Sequence, residues 1–336
     1  MEMKREAYFI TGASGFLGSH ILKNILKNKN ATVFAFLMEN DKGAKRLQNL
    51  SNVHLCFGNL LNKDSVNNFL SLPFDGDKYL IHCAGKITTL KKHDSAVMKI
   101  NYEGSKNIVD CAKNIDFKKI IYISSVDSLS IVKDNNEIFE QDYYFPGKVA
   151  GIYGKSKALA NNYFLDNLPN SVIILPSALY GPDDPLNCPI NFAIQQFISN
   201  KMPALVKGGY NLVDVRDVAD AIVNACYLSK SGQSYILGGN NISIKDISLK
   251  CHNISGCKNI KFFVPHFIIK VISPFVVLFS KVKHRTPIFT GFSMDCLNQN
   301  SNYSHQKASR ELNFKIRDLD ESFKDTIKFL KEEKIK

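Results

Sequence analysis

The chain alternates two kinds of hydrophobic pattern. Short runs rich in β-branched and aromatic residues, at Ala7–Thr11, Thr32–Leu37, Val53–Phe57, Lys78–Cys83, Lys119–Ser124 and Ser171–Leu175, read as strands. Between them apolar residues recur at helical spacing over Phe16–Lys29, Asp64–Leu70, Ala96–Asn114 and Gly151–Leu168. The strand runs are apolar on both faces, so helices must cover both sides of the sheet they form. Strands separated by helices join through right-handed crossovers into a parallel sheet. The pattern therefore predicts an α/β fold, a doubly wound parallel sheet over 1–175. After Pro176 the alternation loosens, with loops expected at Gly181–Pro189 and Gly208–Asn211. Residues 176–336 are expected to form mainly a smaller C-terminal α/β lobe that returns some segments to the sheet.

Composition narrows this little. In 336 residues, 45% hydrophobic and 22% charged suits a globular chain with a large core and excludes a disordered one. The net charge of +12 could favour anionic ligands. The lysines are scattered rather than massed, so no nucleic-acid partner is expected. None of the eight cysteines forms a CxxC pair, and buried reduced thiols are the plain reading. Cys251, His252 and Cys257 lie close together but lack a second ligand pair, so no metal is expected. The first residues, Met1-Glu2-Met3-Lys4-Arg5, lead straight into Tyr8-Phe9-Ile10 with no apolar targeting core, which implies a cytoplasmic protein. Phe262–Ser280 is long and apolar but is interrupted by Pro265, His266, Lys270 and Pro274. Amphipathic helices over a cleft are expected there in preference to membrane contact.

The first strand runs into Thr11-Gly12-Ala13-Ser14-Gly15-Phe16-Leu17-Gly18, where a helix begins. Glycines at such a turn let the backbone approach a pyrophosphate, and the helix N-terminus offers free N–H groups and a positive dipole end. The strand–turn–helix context is what turns a glycine triplet into a dinucleotide signal.

The spacing is GxxGxxG, and here the chain resembles the extended short-chain dehydrogenase/reductase superfamily, the NAD-dependent epimerase/dehydratase family, with its Rossmann-type sheet. Other pieces follow in that family's order. Gly58-Asn59-Leu60 stands where the family has Gly-Asp-Leu near the adenine, with Asn59 keeping an acceptor oxygen but no charge. Ile81-His82-Cys83-Ala84-Gly85 is similar to the turn after strand four beside the cofactor, and Asn101 with Gly104 is similar to the NxxGT helix. His82 reads as a satisfied core histidine and not as a catalytic one. The second strand ends in Phe36-Leu37-Met38-Glu39-Asn40, with Met38 where NADP-using relatives often have Arg. Glu39 could hold a ribose hydroxyl, while Lys42, Lys45 and Arg46 could reach a 2′-phosphate, so the cofactor is NAD or NADP with the preference open.

Tyr153 and Lys157 stand four apart in a helical segment and so share one face. An ammonium beside a phenol stabilises the phenolate, and Tyr153 could then exchange a proton with an alcohol oxygen. Lys157 would also bond the nicotinamide ribose. The preceding strand ends in Tyr122-Ile123-Ser124-Ser125, which matches the family's YxSS, and the resemblance makes Ser125 the residue that bonds the substrate oxygen. Tyr122, Tyr143 and Tyr144 are rival phenols without a lysine one turn onward. Leu175-Pro176-Ser177-Ala178 resembles the loop that closes over the nicotinamide, which adds Pro176 and Ala178 to the cofactor contacts, with Leu175 where many nucleotide-sugar epimerases have Arg. The block Val213-Asp214-Val215-Arg216-Asp217-Val218-Ala219-Asp220-Ala221 is most similar to the dihydroflavonol-4-reductase-like branch.

The resemblance implies an NAD(P)-dependent oxidoreductase that interconverts a secondary alcohol and a ketone, and the plentiful Phe, Ile and Tyr of the C-terminal half, with Leu175 in place of a cationic Arg, point to a small, partly apolar substrate. An epimerase or dehydratase that recycles its hydride is the second reading, with Asp127 as half of a dehydratase acid pair. A non-catalytic dinucleotide-binding regulator is the third. The family's four-helix contact, through Ala96–Asn114 and Gly151–Leu168, implies a homodimer.

Overall fold

Seven parallel strands make the main sheet in this computed structural model, which describes residues 5–88, 94–132, 136–186, 188–268 and 291–332. They are β1 (Glu6–Thr11), β2 (Ala31–Leu37), β3 (Val53–Phe57), β4 (Asp77–His82), β5 (Lys119–Ile123), β6 (Ser171–Pro176) and, far down the chain, β9 (Ser234–Leu237). Their order is β3-β2-β1-β4-β5-β6-β9. The chain first winds outward from β1 to β3 and then resumes on the other side at β4. Thr11 lies level with Phe36 on one side and His82 on the other, so the ends of these strands form one rim. A ligand crevice opens at such a reversal, outside the carboxyl ends of the strands.

The period-two alternation of each strand explains the two cores. Tyr8, Ile10, Ile81, Ile121, Ile174 and Tyr235 face one way and pack with α1 (Phe16–Ile25) and α8 (Val215–Leu228). Ala7, Phe9, Leu80, Ile120, Tyr122 and Ile173 face the other way, against α3 (Lys63–Leu70), α5 (Gly104–Ala112) and α6 (Gly151–Asn167). With both faces covered, neither side of the sheet meets water, as a parallel sheet requires. The expected helix to Lys29 stops at Ile25, because Lys27 and Asn28 tighten onto the carbonyls of Asn24 and Ile25.

A second, three-stranded sheet joins β7 (Ala178–Tyr180), β8 (Gly209–Asp214) and β10 (Asn240–Ser243) in the order β10-β8-β7. Around it pack α7 (Pro189–Ile198), α9 (Ile244–Ser255) and the C-terminal helix Leu319–Glu332, through Tyr180, Ile194, Leu212, Ile247 and Phe323. The loop expected at Gly208–Asn211 is corrected from Gly209 onward. A Cβ at Gly209 would lie 2.4 Å from the Ile242 carbonyl, so the missing side chain is what lets β8 run against β10 there.

Most of the expected apolar segment Phe262–Ser280 lies outside the described residues. Its described start exposes Phe262, Phe267 and Ile268. Among the described residues, no helix is long and apolar enough to cross a membrane. Cys251 and Cys257 are buried thiols, and His252 bonds the Cys257 carbonyl.

Candidate active site

The turn after β1 is built around two glycines that no other residue could replace without movement. Gly12 has φ +73°, and a Cβ there would lie 2.8 Å from the Cα of Ala84 on the neighbouring turn. At Gly18 a Cβ would fall 2.1 Å from the Gly12 carbonyl, so α1 lies directly on the turn. Gly15 accepts φ −74° and serves as the residue before the helix, with no side chain capping the free N–H groups that follow. No acidic residue stands in the first helical turn. This is a bare positive helix end under a wall of backbone, and it fits the diphosphate of a dinucleotide. Ser14, Phe16 and Leu17 complete the turn, with both apolar side chains turned into the core.

The outer rim is made by the loops after β2 and β3. Glu39, expected at the ribose, is exposed together with Met38 and Asn40. Asp41, two residues on, is turned toward the glycine turn. It accepts from the Ser14 hydroxyl (2.6 Å) and from the Gly43 N–H (2.7 Å), while Arg46 donates to the Ser14 carbonyl (3.0 Å). The loop is thereby latched onto the glycine turn. Asn59 has already committed its side-chain oxygen to the Leu61 N–H (2.9 Å), which tempers its expected role as an adenine acceptor. Leu60 is held from below by Asn107, which donates to its carbonyl.

Beyond β4, Cys83 and Ala84 lie on the rim because their N–H groups bond Thr11, at its carbonyl (3.2 Å) and its hydroxyl (3.2 Å). His82 is fully buried between the Thr11 and Ser105 hydroxyls, and burial pushes its pKa down to about 3, so it is the neutral core histidine that was expected. Asn101 sits inside a π-helical turn, Lys99–Glu103, which interrupts the expected Ala96–Asn114 helix. Such insertions recur at functional sites. Here the turn aims one amide at three partners. Asn101 accepts from the Lys86 N–H (2.7 Å) and donates to the Lys86 carbonyl (2.9 Å) and to Ser156 on α6 (3.1 Å). It thus ties the turn at Gly85 to the helix that carries Tyr153 and Lys157.

At the end of β5, a 3₁₀ turn over Val126–Ser128 begins with Ser125 accepting from the Asp127 N–H (3.2 Å). The Ser125 hydroxyl reaches the phenol of Tyr153 and pulls its pKa down. Burial, Asp127 and Cys83 outweigh it, so Tyr153 stands above its ordinary value. Lys157 is 3% exposed and donates to the Ile123 carbonyl (2.7 Å), with its ammonium 4.8 Å from the centre of the Tyr122 ring. Burial lowers its pKa to about 8. The direct acidification of Tyr153 by Lys157 is therefore corrected: the lysine charge is turned into a carbonyl and a ring face. The charges that reach the phenol belong to Asp127 and Cys83 and raise its pKa. Ser125, Tyr153 and Lys157 are nonetheless gathered on one side of the crevice, beside Gly85, where a Cβ would lie 3.4 Å from the Lys157 ammonium. Burial also raises the Cys83 thiol to about 11, partly offset by Lys157. Pro176 is buried at the end of β6, and Ser177 beside it has a buried hydroxyl with no partner among the described residues. Ala178 opens β7 next to it.

Two further phenols line the site and were missed from sequence, Tyr210 on β8 and Tyr303. Burial raises both, to about 12 in the case of Tyr210, and Asp127 acts on both. Neither had been given a role, and both come from segments far along the chain from β5.

A dinucleotide crevice at the β1–β4 reversal, with serine, tyrosine and lysine gathered beside it, defines an extended short-chain dehydrogenase/reductase, an NAD(P)-dependent enzyme acting on CH–OH groups. Residues 9–253 match the 3-beta hydroxysteroid dehydrogenase/isomerase family, and the chain belongs to it. A Synechocystis protein named as a candidate dihydroflavonol 4-reductase is 31% identical over 270 residues, 77% of this chain and 76% of that one. Sterol demethylase protein B of Methylococcus capsulatus is 23% identical over 332 residues, covering 96% and 98%. Among solved structures, that of gox2253 superposes with a TM-score of 0.81 at 28% identity, over 97% of this chain and 98% of that one. The UDP-glucuronic acid 4-epimerase of Bacillus cereus, solved with UDP-glucuronic acid and NAD, shares the fold with a TM-score of 0.74 at 19% identity, over 97% and 99%.

Proposed function

We propose that the protein interconverts a secondary alcohol and a ketone on a small, partly apolar molecule. The observation that carries this reading is the Ser125 hydroxyl in reach of the Tyr153 phenol at the end of β5, beside the glycine cradle. Gly12, Ser14, Gly15, Phe16, Leu17 and Gly18 would hold the dinucleotide's diphosphate. Leu60, Cys83, Ala84, Gly85, Pro176 and Ala178 would line its path toward the reacting end. Nicotinamide, when bound, supplies or accepts the hydride.

The chain's own residues do the rest. Ser125 donates to the reacting oxygen and fixes its position, and Tyr153 gives or takes the proton at that oxygen. A phenol held above its ordinary value stays protonated at neutral pH, the form that carbonyl reduction uses, but is a weak acid until a positive charge is brought to it. Lys157 holds its ammonium under the site and, when turned from the Ile123 carbonyl, would bring a positive charge toward the ribose and the phenol. Asn101 keeps the Gly85 turn and α6 in register. The apolar side chains of Leu129, Ile131, Val132 and Ile138 beside Asp127 support an uncharged substrate body.

The test is a screen of carbonyl compounds with NADH and NADPH, followed through nicotinamide absorbance. Turnover that disappears in Tyr153→Phe, with dinucleotide binding retained, supports the reading; full activity in that variant removes Tyr153 from it. Asp127 favours a second reading, an epimerase or dehydratase that keeps its hydride. A dinucleotide that co-purifies and is not consumed in step with substrate would establish that alternative.

A further inference from the structure

Helix α6 carries Tyr153, and it also grips the chain on both sides of Ser125. Gly154, Lys157 and Asn161 are three and four residues apart and share one face of the helix. A Cβ at Gly154 would lie 2.3 Å from the Asp127 carbonyl, so the 3₁₀ turn rests directly on α6. Lys157 donates to the Ile123 carbonyl (2.7 Å), on the strand side of Ser125. Asn161 donates to the Ser128 hydroxyl (2.9 Å), on the far side. Neither Asn161 nor Ser128 belongs to the proton exchange itself.

Asn161 is fully buried, where an apolar side chain would pack at no polar cost. Its neighbour Asn162 uses both ends of its amide on the Tyr144 backbone (3.0 and 2.8 Å). Asn161 uses its nitrogen on Ser128, and its oxygen has no partner among the described residues. The donor to Ser128 is what distinguishes it from an apolar filler. Ser128 is fully buried as well. A hydroxyl has one proton and two lone pairs. The lone pairs of Ser128 receive Asn161 (2.9 Å) and the Ser124 hydroxyl (3.4 Å), which leaves its proton a single acceptor, the Ser125 carbonyl (2.7 Å). The Ser128 N–H donates to the same carbonyl (3.0 Å). Ser124 is still tied to β6 through the Ile174 carbonyl (2.8 Å), and beyond it Ser128 holds Ser125 by these two bonds. The Ser125 hydroxyl accepts from the Asp127 N–H (3.2 Å), so its own proton is free to point into the crevice.

We propose that Asn161 is a positioning residue, which fixes the Ser125 hydroxyl relative to the Tyr153 phenol through Ser128. This rests on the alcohol–ketone reading. The acid and the hydroxyl that holds the reacting oxygen are then both set from one helix. Tyr153 stands on α6 directly, and Ser125 is held by a relay of two buried hydrogen bonds that starts about two turns further along. Without the Asn161 donor the Ser128 hydroxyl can turn to Ser124, and the Ser125 carbonyl keeps only the backbone N–H. A displaced Ser125 costs rate and not dinucleotide binding, because the cradle at Gly12–Gly18 is untouched.

The test uses the full chain with whichever reduced dinucleotide binds and cyclohexanone as the probe ketone. Asn161→Leu removes the donor and the unpaired oxygen together at similar volume. Its melting temperature should hold while kcat falls about tenfold, with KM and dinucleotide affinity little changed. Ser128→Ala should lower kcat by a similar factor and the double variant no further, since the two act in series. Ser128→Ala carries the same expectations if Asn161→Leu does not fold. In a Ser125→Ala background neither substitution should lower kcat again, whereas a residue with a merely structural role would still do so. A crystal structure of the Asn161→Leu protein should show the Ser128 hydroxyl turned off the Ser125 carbonyl. An unchanged kcat, a further fall in the Ser125→Ala background, or unaltered bonds to Ser125 in that crystal overturns the proposal. If Ser125→Ala reduces the ketone at full rate, or the dinucleotide-bound wild type does not reduce it, the alcohol–ketone reading falls, and the crystal structure still decides whether Asn161 holds Ser125.

Discussion

The dinucleotide side of the crevice is made of backbone, whereas the substrate side is made of side chains collected from distant stretches of chain. Gly12, Gly15 and Gly18 lie within one turn, and their work is to leave space and free N–H groups. Asp127, Tyr153, Tyr210 and Tyr303 come from a 3₁₀ turn, a helix, a strand and an irregular segment. Local backbone requirements leave a compact signature in sequence. A cluster of side chains converging from separate elements leaves none, because each position is free to vary as long as the cavity is filled. A site wall made by one backbone turn is therefore legible in sequence, and one assembled by packing is not.

Breaking the catalytic core should have the largest effect. Tyr153→Phe is expected to lower kcat about 10²–10⁴-fold, the usual worth of a general acid, with the dinucleotide dissociation constant nearly unchanged by fluorescence titration. Next, Gly18→Ala drives a methyl to 2.1 Å from the Gly12 carbonyl. We expect about 3 kcal/mol less stability, with loss of dinucleotide binding, in thermal unfolding with and without NADH. If Gly18→Ala binds NADH normally, the cradle is not where the diphosphate sits.

Lys157 sharpens the comparison through pH. Burial lowers its pKa to about 8 from 10.5. Between these values the unfolded chain binds more protons than the folded one, so stability rises with pH across that window, and below it the buried charge costs the fold ~3 kcal/mol. The melting temperature of wild type should therefore gain on that of Lys157→Met between pH 8 and 10.5 and run parallel to it below pH 8. A constant gap throughout would mean the ammonium is not desolvated. Smallest is the rim. Asp41→Ala frees the Ser14 hydroxyl and the Gly43 N–H and removes a carboxylate beside the glycine turn. It should shift relative affinity toward NADPH over NADH by a few fold, within the range of one exposed charge contact. An unchanged ratio would clear Asp41 of that role.

Some expectations failed for reasons that lie in packing. The loop that carries Glu39 could not be shaped from sequence: Gly43 lets it fold close over Ser14, with its would-be Cβ 2.6 Å from that residue's Cβ, and Asp41 becomes an inward acid beside the exposed Glu39. The Tyr153–Lys157 spacing correctly placed two residues on one helical face, yet it could not foresee that Lys157 would find the Ile123 carbonyl on the adjacent strand end. Asn101 was recognised by resemblance, but its π-helical turn and its three-way hold on Lys86 and Ser156 depend on α6 lying alongside.

What the amino-acid order alone determined is the doubly wound sheet, the glycine cradle at its reversal, the neutral core role of His82 and the company of Ser125, Tyr153 and Lys157. Each follows from short-range periodicity or from a turn whose backbone tolerates few residues. The tertiary structure alone decided which acid turns onto the glycine turn, where the lysine charge points, and that Asp127 acts on Tyr153, Tyr210 and Tyr303 from separate elements. Those outcomes depend on how two packed sheets and the helices between them settle against each other, and that balance of burial and hydrogen bonding is spread over residues far apart in the chain.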